Sequence, residues 1–299
     1  MIEHINFSQI KAQGIEQCQR IFHGRGKAYP GYEHVTVDWL PPVLLITLYQ
    51  ETSHDVLMDW ANELNQALPE CQSVQVRYRY RAKTPYETLL GEPIEKLIVE
   101  ENGLKYYIQL GRNQNTGLFL DMANGRQWVH SHVSNKRVLN LFAYTCAFSV
   151  VALAGGASRI VNVDMSKSAL STGRENHRLN EQDLSKVKFE GVDIFKSFSR
   201  LKKHGPYDLL ISDPPQFQKG SVDIKRDYKK IIRRIPELLV PGGQVMLCLN
   251  SPELTDDFLL SNVGEYCPSC EHVETIPVPS VFKESEKGRG LKVLVFTLG

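Results

Sequence analysis

The sequence lacks the glycine signatures of a phosphate cradle. Neither Gly-x-Gly-x-x-Gly nor Gly-x-x-x-x-Gly-Lys-[Ser/Thr] occurs in its 299 residues, so a dinucleotide or nucleoside triphosphate would have no conventional pyrophosphate grip. Cysteine is scarce. The six present are too few for a secreted disulfide scaffold of this length. An excess of charge of one sign is also missing: 35 Lys+Arg stand against 34 Asp+Glu, for a formal charge of +1. That argues against broad coating of a polyanion, while a local basic patch stays possible. No repeat or low-complexity tract is visible, and 42% hydrophobic with 23% charged residues is the balance of a folded globular chain. Met1-Ile2-Glu3-His4 has neither a basic leader nor an apolar signal core, so a cytoplasmic location is expected.

Long apolar runs are missing as well. Val138 to Ser158 carries no charge between Arg137 and Arg159 and approaches the ~20 residues of a membrane span. Asn140, Thr145, Ser149, Gly155 and Gly156 interrupt it, and it reads as a buried strand, a turn and a helix. No membrane partner is expected. Cys267-Pro-Ser-Cys270 with His272 resembles half of a zinc site, but no second pair stands at a matching spacing, so no metal is expected.

What is present divides into two textures. The first 120 residues read as a smaller α+β domain. Val35–Trp39 and Val43–Leu48 are strands separated by Pro41-Pro42, Ser53 caps a helix to about Ala67, Val74–Arg81 alternates, and Asn102-Gly103 marks a hairpin. Residues 121–299 read as α/β. Strands at Arg137–Leu141, Arg159–Val163, Lys186–Glu190, Tyr207–Ser212 and Gln244–Leu249 alternate with helices near Ala147–Ala154, Lys167–Asn180, Ile194–Lys203, Arg226–Leu239 and Leu254–Tyr266. Two closing strands, His272–Ile276 and Leu291–Leu298, complete seven. The expected sheet is Rossmann-like and mostly parallel, with its last strand antiparallel.

In such sheets ligands bind beyond the carboxyl ends of the strands. Asn140-Leu-Phe-Ala-Tyr-Thr-Cys-Ala-Phe-Ser149 makes a small-residue turn after the first strand. Asp164 ends the second, close to the ~20-residue offset at which an acid takes ribose hydroxyls. Gly191-Val-Asp193 follows the third strand, and Asp193 is placed to accept from an adenine amine. Ser212-Asp-Pro-Pro-Gln-Phe217 follows the fourth, where two prolines stiffen the backbone beside Asp213. Each acid read alone also fits a helix N-cap; their order at consecutive strand ends favours a site. A cofactor with ribose and adenine but no pyrophosphate suits the pattern.

Val138-Leu-Asn-Leu-Phe-Ala-Tyr-Thr, Val163-Asp164, Gly191-Val-Asp193 and Asp213-Pro-Pro-Gln-Phe217 resemble the ordered motifs of class I S-adenosylmethionine-dependent methyltransferases. Thr116-Gly-Leu-Phe-Leu-Asp121 ahead of them resembles the bacterial large-subunit (23S) ribosomal RNA methyltransferase family; the likeness covers residues 100–299 well and His23-Gly-Arg-Gly26 less specifically. The resemblance implies S-adenosyl-L-methionine as cofactor. It implies that Phe142, Tyr144, Thr145 and the backbone at Cys146 cradle its methionine part, with Asn140 and Ala143 beside them. Asp164, with Met165 and Ser166, would hold the ribose, Asp193 with Ile194 the adenine, and Asp121 a lid over the pocket. Asp213, Pro214, Pro215 and Phe217 would face the target base. One departure stands out: the family turn usually reads Thr-Gly-Gly or Thr-Gly-Ala, and here it is Thr145-Cys146-Ala147. A Cβ there either crowds the cofactor or sits where the backbone is ordinary. Binding is expected to survive.

Cytosine C5 needs a thiolate adduct before it can attack a methyl group. The cytosine-C5 branch carries that cysteine after the fifth strand, where this chain has Asn250; Cys248 lies two residues earlier, in a core position. Asn250 and Lys225-Arg-Asp-Tyr228 resemble the guanine-modifying branch, so a guanine nitrogen attacking directly is the expected acceptor, in ribosomal RNA. Arg77, Arg79 and Arg81, on one strand face with tyrosines on the other, and the basic run from Lys225 and Arg226 to Arg234 are candidate RNA contacts. Each also fits a solvated surface. Cytosine C5, a protein or small-molecule acceptor, and a non-catalytic RNA-binding protein of the same fold stay open, as does the oligomeric state.

Overall fold

The computed structural model describes residues 1–111, 115–215, 217–218, 222–286 and 288–299; the side chains of 217 and 218 lie outside that description. The chain forms two compact units, Met1–Asp121 with Pro279–Lys287, and Met122–Val278 with Gly288–Gly299.

The first unit starts with the short helix α1 (Phe7–Gln13) and is built on a five-stranded sheet of β1 (Gln19–His23), β2 (Val35–Leu40), β3 (Val43–Leu48), β4 (Ser73–Tyr78) and β5 (Tyr86–Gly91), in that spatial order. Only β3 and β4 are parallel, and the helix α2 (His54–Ala67) makes the crossover between them. Ser53 caps α2 by accepting from the Val56 amide at 3.4 Å, and Leu57, Ala61 and Leu64, at helical spacing, enter the core. Every residue of β2, β3 and β4 is buried, and β3, at the centre of the sheet, is accordingly almost entirely Val, Leu and Ile. A separate hairpin, β6 (Lys96–Glu101) and β7 (Leu104–Gln109), turns at Asn102 and Gly103, both at positive φ, as a two-residue primed turn requires.

The second unit opens with α3 (Ala123–His132). Its strands are β8 (Arg137–Leu141), β9 (Arg159–Val163), β10 (Val187–Glu190), β11 (Tyr207–Ser212), β14 (Leu239–Asn250), β15 (Cys270–Thr275) and β16 (Leu291–Leu298); β12 (Phe217–Gln218) and β13 (Val222–Asp223) form a small ribbon apart. The sheet order is β10-β9-β8-β11-β14-β16-β15, with β16 antiparallel to both its neighbours. The helices are α4 (Ala147–Ala154), α5 (Lys167–Leu179), α6 (Phe198–Lys202), α7 (Ile224–Ile232), α8 (Ile235–Leu238) and α9 (Asp256–Tyr266). Alternation along the strands divides the core. Leu139, Leu141, Leu210, Val245 and Leu247 meet Tyr228, Ile231 and Val263 of α7 and α9, whereas Val138, Leu209, Ile211, Met246 and Cys248 meet Trp128, Val129, Phe148 and Ala152 of α3 and α4.

The expected seven-stranded, mostly parallel sheet with an antiparallel last strand is present. Two helices differ from expectation. Ile194–Lys203 begins as a 3-10 turn, Ile194–Lys196, before α6, and Arg226–Leu239 is split at Arg233 and Arg234 into α7 and α8, with Pro236 in the first turn of the second piece. The uncharged stretch from Val138 is β8, a turn and α4, and no helix among the described residues is long and apolar enough to cross a membrane.

Candidate active site

The chain direction of the sheet reverses between β8 and β11: β8 leads outward to β9 and β10, and β11 to β14 on the other side. This switch point opens a crevice at the carboxyl edge. Register aligns that edge. Leu141 pairs Val163 and Ser212, Val163 pairs Glu190, and Ser212 pairs Leu247. The residues leaving this level row are therefore Phe142, Asp164, Gly191 and Asp213, while Asn250 stands farther along β14, exposed at its end.

The turn after β8 is the most strained backbone of the unit. Phe142, Tyr144 and Cys146 all have left-handed φ, at 56°, 47° and 61°, a region that costs a non-glycine residue about 1 kcal/mol or more. Several bonds hold it. Ala143 N donates to Val163 O at 3.0 Å, Tyr144 N to Asp164 Oδ2 at 2.9 Å, and the buried Asn176 side chain to Thr145 O at 2.9 Å. Asp164 takes a second amide, from Ser166, on Oδ1 at 2.8 Å. Both carboxylate oxygens are thus aimed by backbone donors, and each keeps a lone pair for a hydroxyl. Met165 beside it is 49% exposed despite its apolar side chain, and Ser166 caps α5 through the Ala169 amide.

Below the turn runs a buried polar chain. Asn140 Nδ2 donates to Asn162 Oδ1 (2.9 Å), Asn162 Nδ2 to Ser149 Oγ (2.8 Å), and Ser149 meets His177 Nε2 (2.8 Å); His177 Nδ1 reaches Gln182 Oε1 (2.6 Å), and Gln182 Nε2 donates to Val150 O (2.8 Å). The amide oxygen of Gln182 only accepts, which assigns the proton to His177 Nδ1 and makes Ser149 the donor to Nε2. Burial lowers the His177 pKa to about 4, consistent with this neutral ring.

Asp193 is both a site candidate and an N-cap: its Oδ1 accepts from Phe195 N at 2.9 Å, and Ile194 behind it is buried. Phe142 and Phe195 approach ring to ring at 6.3 Å. At the end of β11 Asp213 is half-buried, Pro214 buried and Pro215 exposed. Gln216 and the side chain of Phe217 lie outside the described residues. The Tyr228 hydroxyl, on α7, donates between two strand-end carbonyls, Cys248 O at 2.9 Å and Ser212 O at 3.3 Å. Burial holds that phenol well above its ordinary pKa, with the nearby Asp213 carboxylate adding to the effect. Cys248 itself is fully buried in the core.

The structure alters three expectations. Cys146 does not occupy an ordinary backbone region: it is left-handed and completely buried, and burial, then the charge of Asp164, raises its thiol pKa. The strand carrying Arg77 ends at Tyr78, so Arg77, Arg79 and Arg81 do not share one exposed strand face. Arg77 is buried against Thr47 Oγ1 (3.1 Å) and the Tyr86 hydroxyl (3.4 Å), Arg79 lies 5.8 Å from the Tyr49 ring, and Arg81 covers Tyr78 at 4.2 Å. The basic run of α7 is partly paired, with Asp227 as its one internal acid. Lys225 pairs Glu253 at 2.9 Å, while Arg226 (2.7 Å) and Lys230 (2.8 Å) flank the buried Asp227, whose pKa they drive down. Asp121 sits in the turn Leu120–Met122 at the end of the first unit, where its charge acts on Arg20. Cys267 and Cys270 are buried with sulfurs 3.1 Å apart, and no metal-ligating cluster of three occurs among the described residues.

The expectations drawn from strand ends missed Asn162, Asn176 and His177, while Tyr228 entered only as part of the Lys225–Tyr228 motif, with no role of its own. A signal existed for the first: Asn140 and Asn162 interrupt otherwise apolar strands at the same position and are register partners.

A family model described as S-adenosylmethionine-dependent methyltransferase matches residues 19–297. The chain is similar to Ribosomal RNA large subunit methyltransferase I of Aeromonas salmonicida (strain A449), 36% identical over 205 residues that cover 65% of this chain and 52% of that protein. It is similar also to the protein of the same name from Enterobacter sp. (strain 638), 32% identical over 265 residues covering 85% and 66%. It thus spans between about half and two thirds of the length of these curated relatives. The SMU.776 protein complexed with SAH superposes with a TM-score of 0.87 at 25% identity, over 97% of this chain and 78% of that one. An M. jannaschii tRNA m1G37 methyltransferase shares the fold, with a TM-score of 0.64 at 19% identity over 88% and 72%.

Proposed function

The chain belongs to the S-adenosylmethionine-dependent methyltransferase family, and from that premise we propose that it methylates a guanine nitrogen of large-subunit ribosomal RNA by direct in-line transfer. The cofactor supplies an electrophilic methyl group on a sulfonium centre. The chain's own work is to position an acceptor lone pair about 3 Å from that carbon. The carboxyl edge fits such a cofactor: Asp164 would offer two oriented carboxylate oxygens to the ribose, Asp193 at the neighbouring strand end would take the adenine amine, and the turn 142–146 would hold the amino-acid part. Met165 would supply apolar contact there, with Ile194 packed in the core behind Asp193. Asp213, with the Pro214-Pro215 backbone and Asn250, would orient the base and accept its proton as the new bond forms.

The observation that carries the choice of acceptor is the burial of Cys248. A cytosine-C5 enzyme needs a thiolate at the base, and this sulfur lies inside the core, whereas the exposed strand end is Asn250. A ring or amino nitrogen of guanine carries its own lone pair and needs no adduct. The names of the relatives support ribosomal RNA as the polymer. We take residues 1–120 as an RNA-holding domain and 121–299 as the methyltransferase domain, in the cytoplasm. Arg79 and Arg81 with their tyrosines would contact RNA, Arg77 would brace them from below, and Lys225 and Arg226 would exchange their carboxylate partners for phosphate.

Incubating the protein with methyl-labelled cofactor and ribosomal RNA, followed by nucleoside analysis, tests this. N-methylated guanosine in both wild type and Cys248→Ala is expected. 5-Methylcytidine that disappears in Cys248→Ala would replace the proposal with the cytosine reading, and label entering only protein would remove RNA as the substrate.

A further inference from the structure

The turn 142–146 carries a side chain where its backbone favours glycine. Cys146 stands at φ 61° and ψ 29° and begins α4 without a side-chain cap, yet it is fully buried. The place its side chain occupies explains the accommodation. An ideal Cβ built on Gly173 of α5 would lie 2.8 Å from Cys146 Cβ, still nearer its sulfur, and 3.2 Å from the Thr145 carbonyl carbon. The thiol therefore fills a notch that only a glycine at 173 leaves open, against α5.

The same helix face continues the support. Asn176, three residues on, donates to Thr145 O, and His177, four residues on, anchors the polar chain that ends at Asn140 of β8. Leu170, one turn before, packs with Ala143 and Cys146. Positions 170, 173, 176 and 177 share a face by helical periodicity, so one face of α5 reads the whole strained turn.

We propose that Gly173 and Asn176 are positioning residues for the cofactor turn, and that the size match between Gly173 and Cys146 sets the turn's affinity for the amino-acid arm of S-adenosylmethionine. The proposal rests on the reading above that this turn surrounds that arm. Neither residue touches the cofactor; each acts through the backbone of 144–146.

Two probes separate positioning from general structure: S-adenosyl-L-homocysteine, which has the arm, and adenosine, which lacks it. Calorimetric titration of both into wild type, Gly173→Ala, Asn176→Ala and the double variant Cys146→Gly/Gly173→Ala is the experiment. Gly173→Ala and Asn176→Ala should weaken S-adenosyl-L-homocysteine by roughly tenfold or more while adenosine changes by less than about threefold. The double variant, with the clash removed from the other side, should recover to within about threefold of wild type. If Gly173→Ala does not fold, a folded double variant that binds supports the proposal and an unfolded one overturns it. Equal losses for both probes, or a double variant as weak as Gly173→Ala, would also overturn it. Wild-type protein binding neither probe would strike the cofactor reading itself, a different outcome from wild-type binding that the substitutions leave untouched.

Discussion

Asp164 owes its candidate role to donors that belong to the backbone, namely the amides of Tyr144 and Ser166. Removing the carboxylate orphans both and takes away the ribose acceptors together. Asp164→Ala should therefore reduce S-adenosyl-L-homocysteine affinity by roughly 10–100-fold, the scale of one or two lost charge-assisted bonds; titration giving the wild-type constant would refute the assignment. Tyr228 acts at the other half of the edge. Its hydroxyl joins the carbonyls just before Asp213 and just before Leu249, and its ring stacks near Phe258 at 6.5 Å. Tyr228→Phe keeps the ring and deletes the donor, so stability should fall by about 1–3 kcal/mol. Methyl transfer should drop while cofactor affinity holds, because the cofactor's proposed anchors lie on β8, β9 and β10. Unchanged turnover would reduce Tyr228 to a packing residue.

At the scale of elements, acid sensitivity follows from the polar chain under the turn. His177 titrates near 6.5 when unfolded and near 4 when folded. Between those values the unfolded state binds more protons, so stability falls as pH drops from about 6.5 to 4 and levels below, by about 3 kcal/mol in full. Denaturant unfolding at stepped pH should show this slope, and His177→Gln should flatten it; an equal slope in both would place the effect elsewhere, with His23, lowered to about 3 by burial and by Arg20 and Arg25, as the next candidate. Elements were largely legible beforehand. β8, β9, β11, β16 and α4 have the residue ranges their patterns suggest, because short apolar strands beside charged flanks are local signals. The polar chain was not legible, since Asn140, Asn162, Ser149 and His177 meet only after two crossovers bring them together. Arg77 misled for a related reason: alternation sets which face a residue takes, but not whether that face is covered. Cys146 misled because its compensating glycine lies on another helix.

For the molecule as a whole, the number of cations available to phosphate sets how RNA affinity should respond to salt. With Lys225, Arg226 and Lys230 already paired to carboxylates, few counterions are released. The plot of log affinity against log salt should have a slope of roughly −2 to −4, the value for about two to four phosphate contacts. A slope steeper than about −8 would mean a far larger basic footprint than the chain carries. Reversing charge at Arg79 and Arg81 together should make the slope shallower. The sheet order has a consequence for biosynthesis. β16 follows every other strand of its sheet in sequence, yet it lies between β14 and β15 and pairs with both. During translation β14 therefore presents an open edge and β15 has no neighbour, so the nascent second unit is exposed to strand-pairing errors. A premature stop inside Leu291–Leu298 would remove an interior member of the sheet, and such chains should be cleared as misfolded protein.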